Sequence, residues 1–285
     1  MFSERRKMKN RMLSLKKIRD IHYKGQTIKL RSMGIEMNDF LKNPYTYFKS
    51  RFYIETSALM VYFLQFTNIS PNFITFFYSF LSLSVLFLLS SNNDSLILLS
   101  VILLFSKGTL DWADGLLARI QKKTSNLGFL LDNWGALIGS YSYLLGLGFY
   151  IYNKNNEIIF IFLGFLIIFI KAIDLRNYAY HLAMYYVFKE KNKKGFLKKL
   201  NLDKHSSEKK SKNKSSIIFL KNFIQNFLDE RSRSIDLICL IILIDTFYYP
   251  SDLIKYIYFF IILKNFIIFV AGIYYVIYKE YIFKK

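Results

Sequence analysis

Three aspartates, Asp111, Asp114 and Asp132, stand beside strongly apolar segments in the stretch Leu110 to Ala136, LDWADGLLARIQKKTSNLGFLLDNWGA. A carboxylate at membrane depth is expensive, so its presence there points to a site. At about 100° per residue, Lys107, Asp111, Asp114, Gly115 and Ala118 share one face of a helix, and Asp132 begins the helix that follows. Hard cations such as Mg²⁺ take oxygen ligands and are commonly shared between carboxylates and substrate phosphates. Three converging aspartates with Arg119 and Lys107 nearby therefore describe a metal-diphosphate site. Spacing alone leaves a second reading open, a buried ion network in which the aspartates pair with Lys107 and Arg119.

Other chemistries lack their residues. The one cysteine, Cys239, lies in an apolar segment, which removes disulfides and cysteine metal sites and leaves packing as its role. The histidines, His22, His181 and His205, are scattered in basic segments and offer no triad or zinc cluster. With 53% hydrophobic residues in long runs, the chain reads as a polytopic membrane protein, despite 40 Lys and Arg against 20 Asp and Glu. Those basic residues lie between apolar runs and at the ends, which suits lipid headgroups and gives no surface for nucleic acid.

The elements that must position the aspartates follow from the apolar runs. The fold class is all-α integral membrane, six transmembrane helices with an N-terminal interfacial amphipathic helix. Residues 1–43 form a basic cytoplasmic arm, solvated or facing headgroups, with no apolar core of a secretory signal. Residues 44–67 hold an interfacial helix, because the apolar run between Glu55 and Gln65 is too short to span. Ser70 and Pro71 mark a helix start. Spans follow at 72–91, 95–112 (its helix continuing to Ile120), 127–152 and 158–172 (its helix reaching toward Val187), so that 68–187 contains the site. Residues 188–234 are a basic cytoplasmic segment with a short interfacial helix near 217–228, and 235–285 supply spans at 235–249 and 253–277 and a tail. Lys and Arg concentrate before the first span, in the Arg119 to Lys123 loop, in 188–216 and in the tail, which places both termini and the site in the cytoplasm.

The spacing Asp111-x2-Asp114-Gly115-x2-Ala118-Arg119-x8-Gly128-x3-Asp132 resembles the signature of the CDP-alcohol phosphotransferase family, membrane enzymes of phospholipid synthesis. Pro71-Asn72-Phe73-Ile74-Thr75 is similar to the segment that opens the family's first span. The resemblance implies transfer of a substituted phosphate from a CDP-alcohol to an acceptor hydroxyl, alcohol or lipid, with release of CMP. It implies Mg²⁺ or Mn²⁺ on Asp111, Asp114 and Asp132, and a nucleotide pocket involving Asn72, Thr75, Lys107, Asp114, Gly115, Ala118, Arg119 and Gly128. It also implies a homodimer among membrane lipids. The family pattern ends in Gly-x3-Asp-x3-Asp, and here Ala136 stands where the last aspartate, the expected metal ligand and base, belongs. General-base assistance is worth about 10²–10⁴-fold, so slow turnover is expected. Ala136 leaves three readings open: a deliberate change, a natural member that binds without turnover, or different chemistry.

Two further readings compete with this enzyme. A non-catalytic CDP-alcohol-binding protein, a sensor or assembly partner, is motivated by Ala136 and would keep the pocket without turnover. An Asp-rich membrane prenyltransferase would want a second acidic cluster, which isolated Asp174, Asp236 and Asp245 do not supply. Asp236 and Lys264 fall within about 5 Å in depth on adjacent spans, as a structural pair. Asp174 and Arg176 suit either an interfacial salt bridge or contact with a phosphate-bearing acceptor.

Overall fold

The computed structural model describes residues 13–32, 44–175, 178, 233–248 and 252–279. Among these, every regular element is a helix: α1 (Leu15–Ser32), α2 (Pro44–Leu64), α3 (Pro71–Leu89), α4 (Asp94–Gln121), α5 (Asn126–Asn155), α6 (Ile159–Ala172), α7 (Arg233–Phe247) and α8 (Leu253–Lys279). The expected short helix near 217–228, Arg176 and the extension to Val187 lie outside the described residues.

Local chemistry sets the helix starts around the site. Pro71 occupies the first position of α3, where its missing N–H costs nothing, and Ser70 Oγ accepts from Phe73 N–H at 3.2 Å. Asn93 Oδ1 caps α4 by accepting from Ser95 N–H at 2.9 Å. Ser125 Oγ caps α5 by accepting from Gly128 N–H at 3.0 Å. At the end of α4, Lys122 takes φ 54°, and Lys123 N–H reaches back to Ala118 O at 2.9 Å, a left-handed closure of the helix.

The chain divides into two compact units, Met1–Val85 with Leu99–Ser142, and Leu86–Leu98 with Tyr143–Lys285. In the first, Ile18, Ala58, Val61, Ile74, Tyr78, Leu110, Ala113, Leu116 and Leu117 form one core drawn from α1 to α4. Within the segment expected to be a solvated or headgroup-facing arm, Leu15–Ser32 is a packed helix: Ile18 and His22 are fully buried. Gln65 holds both backbone groups of Leu13 (2.9 and 3.1 Å), and Glu55 accepts from Arg19 at 2.8 Å and Tyr23 at 3.1 Å. Apolar residues at helical spacing among lysines and arginines produce this, burying one stripe while the basic residues stay outside.

In the second unit, Phe160, Ile167, Ile238, Cys239, Ile242, Ile254, Tyr258 and Ile261 are buried, so Cys239 packs as expected. The Tyr150 hydroxyl donates to buried Asp245 at 2.6 Å and lies 2.9 Å from Thr246 Oγ1, joining α5 to α7. Removing a buried donor from a carboxylate costs about 1–3 kcal/mol. Tyr150→Phe is expected to destabilise the chain by that amount, read as a lower thermal midpoint in detergent.

Among the described residues, α3, α4 and Leu253–Tyr274 of α8 are long and apolar enough to cross a membrane by length and composition. Ile159–Ala172 and Ile238–Phe247 are shorter apolar helices. The 30-residue α5 carries Asp132, Asn133, Ser140 and Ser142 with several glycines, which dilute its hydropathy. Large apolar side chains stand exposed along these helices, such as Phe76, Phe80, Phe162, Phe169, Phe260 and Leu263, the surface expected where lipid replaces water.

Candidate functional site

α3, α4 and α5 enclose a cavity of about 220 Å³ within the first unit. Its lining includes Asn72 and Thr75 from α3, Asp114, Gly115, Ala118 and Arg119 from α4, and Gly128 and Asp132 from α5. Eight residues expected from spacing or resemblance thus meet at one cavity. Lys107, Asp111 and Ala136 are not among the lining residues.

The carboxylates are held by the helices around them. Asp114 is buried, and its Oδ2 accepts from Thr75 Oγ1 at 2.5 Å while Oδ1 takes the N–H of Gly115. Asp132 opens to solvent, and its Oδ1 accepts from the buried Tyr78 hydroxyl at 2.9 Å. Asp111 lies close enough to Asp132 for the two charges to interact. Two carboxyls brought together in this way need a proton or a cation between them, which suits a hard divalent ion with oxygen ligands. Among the described residues, no three His, Cys, Asp or Glu side chains are gathered as a ready ligand group.

Lys107 lies beside α5. Its ammonium fills the space beside Gly139, so any side chain at 139 would meet it, and its charge faces Asp111 and Asp132. On α5, Asp132, Ala136 and Gly139 share one helical face, placing Ala136 between the cavity and Lys107 in register. Gly128 lies close to Asn72 Oδ1 and Ser125 Oγ, at 3.1 and 3.3 Å from the position a Cβ would take, so the helices approach closely where the resemblance asks for a small residue.

Sequence reasoning did not select Pro71, Lys123, Thr124, Ser125 and Phe129, which complete the lining. Lys123 counted only toward topology, whereas the Ser125 cap ahead of a helical pattern was a usable signal. It also did not connect α1 with the site. His22 stacks on Trp112, the neighbour of Asp111, with ring centroids 5.5 Å apart and planes at 13°, and Tyr53 stacks on Trp112 at 6.0 Å. The Asp236 side chain lies outside the described residues, so its pairing with Lys264 stays with the sequence.

The cavity combines oxygen ligands, a guanidinium, a lysine and a capped helix start, a set suited to a diphosphate. Comparison with curated proteins returns no match. Residues 68–204 match the family model for CDP-alcohol phosphatidyltransferase, and every residue lining the cavity falls within that range. Over these residues, a little under half of its length, the chain is therefore similar to CDP-alcohol phosphatidyltransferases.

Proposed function

We propose that this region transfers a substituted phosphate from a CDP-alcohol to the hydroxyl of an alcohol or lipid acceptor, releasing CMP, with slow turnover because of Ala136. The observation that carries the reading is the meeting of Thr75, Asp114, Gly115, Ala118, Arg119, Gly128 and Asp132 at one cavity.

Asp111, Asp114 and Asp132 are the residues that would hold Mg²⁺ or Mn²⁺, whose charge would screen the diphosphate and the leaving CMP. Arg119 adds a fork of donors for phosphate oxygens that gain charge as CMP departs. Ala118 and Gly115 leave room for the nucleotide, and Asn72 reaches the rim by Gly128. Thr75 and Tyr78 hold the Asp114 and Asp132 carboxylates in place. The acceptor's proton has no carboxylate to receive it at position 136, which limits the rate.

Groups that orient metal-binding carboxylates typically contribute about 10- to 100-fold in affinity or activity. Thr75→Val keeps the shape and removes the donor to Asp114. It is expected to weaken Mn²⁺ binding in the presence of CDP by that factor, measured by calorimetry; unchanged affinity would remove Thr75 from the site.

Six spans, with the interfacial α2, both termini and the cavity on the cytoplasmic side, extend the reading to the membrane. The basic segments before α3, after α4, over 188–216 and in the tail support that orientation. Cysteine labelling of loop positions in sealed vesicles tests it. A homodimer is part of the same reading, tested by the mass of the detergent-solubilised particle. Ala136 favours one other function, a CDP-alcohol-binding protein without turnover. Purified chain that bound CDP in the presence of Mn²⁺, yet gained no CMP release from Ala136→Asp, would support that alternative.

A further inference from the structure

Glycine in the interior of a helix costs stability relative to alanine, and Gly25 sits in the middle of α1. The place where its side chain would project is occupied by the guanidinium of Arg119, from a distant part of the sequence. A Cβ on Gly25 would lie 3.5 Å from Arg119 Nε, 3.7 Å from Cζ and 3.9 Å from Nη2. On the other side, a Cβ on Gly115 would lie 3.6 Å from Nη1 of the same guanidinium. Arg119 therefore runs back along α4 to a slot between two glycines, one on its own helix and one on α1, while lining the cavity.

The α1 wall of this slot is fixed from several directions. Ile18 belongs to the core, His22 stacks on Trp112 one turn before Gly25, and Arg19 and Tyr23 both hold Glu55. A long, rotamer-rich arginine confined in this way loses little further freedom when it engages an anion, and confinement of that kind strengthens binding.

We propose that Gly25 is a positioning residue: by leaving its side of the slot open, α1 aligns the Arg119 guanidinium toward the phosphates of a nucleoside diphosphate. The inference rests on the reading of the cavity as a CDP-alcohol site and adds to it a part of the chain outside the matched domain. Alanine at 25 would stand at ordinary contact distance from the guanidinium, whereas a longer side chain would occupy its place.

The test is calorimetric binding of CDP with Mn²⁺ to the full chain in detergent. Gly25→Ala is expected to bind within about twofold of the unaltered chain, and Gly25→Leu to bind about tenfold or more weakly, as expected when charge-assisted hydrogen bonds to an anion are misaligned. The loss should vanish in an Arg119→Ala background, because a residue acting through Arg119 has nothing left to position. Gly25→Thr carries the same comparison if the leucine variant does not fold. CDP binding that Gly25→Leu or Gly25→Thr leaves intact, or a loss of equal size with and without Arg119, overturns the inference alone. Failure of the unaltered, folded chain to bind CDP overturns the CDP-alcohol reading and the inference with it.

Discussion

Ala136→Asp is expected to raise metal-dependent CMP release by about 10²–10⁴-fold, the range of general-base assistance. Position 136 follows Asp132 by four residues on one face of α5, and Gly139 on the same face adjoins the Lys107 ammonium. A carboxylate there would stand one turn from Asp132, in register with Asp111 and Lys107, where it could accept a proton and ligate a cation. Ala136→Asn separates these roles from shape, since it adds polar bulk without a base. The expected pattern is a large gain for aspartate and little for asparagine, measured as CMP released from a panel of CDP-alcohols with Mg²⁺ or Mn²⁺. Equal rates for all three chains, with CDP binding intact, would contradict an enzyme limited by this position.

Acid is expected to destabilise the chain through His22. This imidazole is fully buried, both ring nitrogens lack a hydrogen-bond partner among the described residues, and it stacks on Trp112. Burial, reinforced by the nearby Arg119 charge and opposed by Glu55, lowers its pKa from 6.5 to about 4. Between those values the unfolded chain takes up the proton and the folded chain does not, so stability is complete above about pH 6.5 and falls as the pH drops toward 4. The shift corresponds to about 3 kcal/mol once both states are protonated, at 1.36 kcal/mol per pKa unit. His22→Phe keeps an aromatic ring against Trp112 and removes the titration. It should hold its stability at pH 7 and show a flatter decline toward pH 4 than the unaltered chain, read by thermal unfolding in detergent. Parallel declines in the two proteins would show that His22 does not carry the effect.

The contrast between these two positions shows what the sequence made legible. Asp111, Asp114 and Asp132 stood out because carboxylates beside apolar runs have few reasons to exist, and helical periodicity alone assigns their faces. The starts of α3 and α5 were legible because Ser-Pro and Ser ahead of an apolar pattern have specific capping chemistry. The role of α1 was not legible: its Ile18 and His22 are isolated among lysines and arginines, and the basic charge that dominates the segment says nothing about its buried stripe. Contacts between Gly25 and Arg119, or Lys107 and Gly139, depend on how helices pack, and periodicity fixes a face without fixing the neighbour it meets. The α5 helix was read as a span from its length, yet its glycines, serines and Asp132 lower the hydropathy by which spans are recognised.

The central claim is that the cavity beneath Arg119 is a metal-assisted site for the CDP group. Calorimetric titration of CDP into the purified chain, with and without Mn²⁺, tests it most directly. The account predicts saturable binding that requires Mn²⁺, is weakened about tenfold or more but still measurable in Arg119→Ala, and is lost in Asp114→Asn, both still folded by thermal unfolding. Absence of CDP binding by the folded chain, or binding indifferent to Mn²⁺ and to both substitutions, would contradict it.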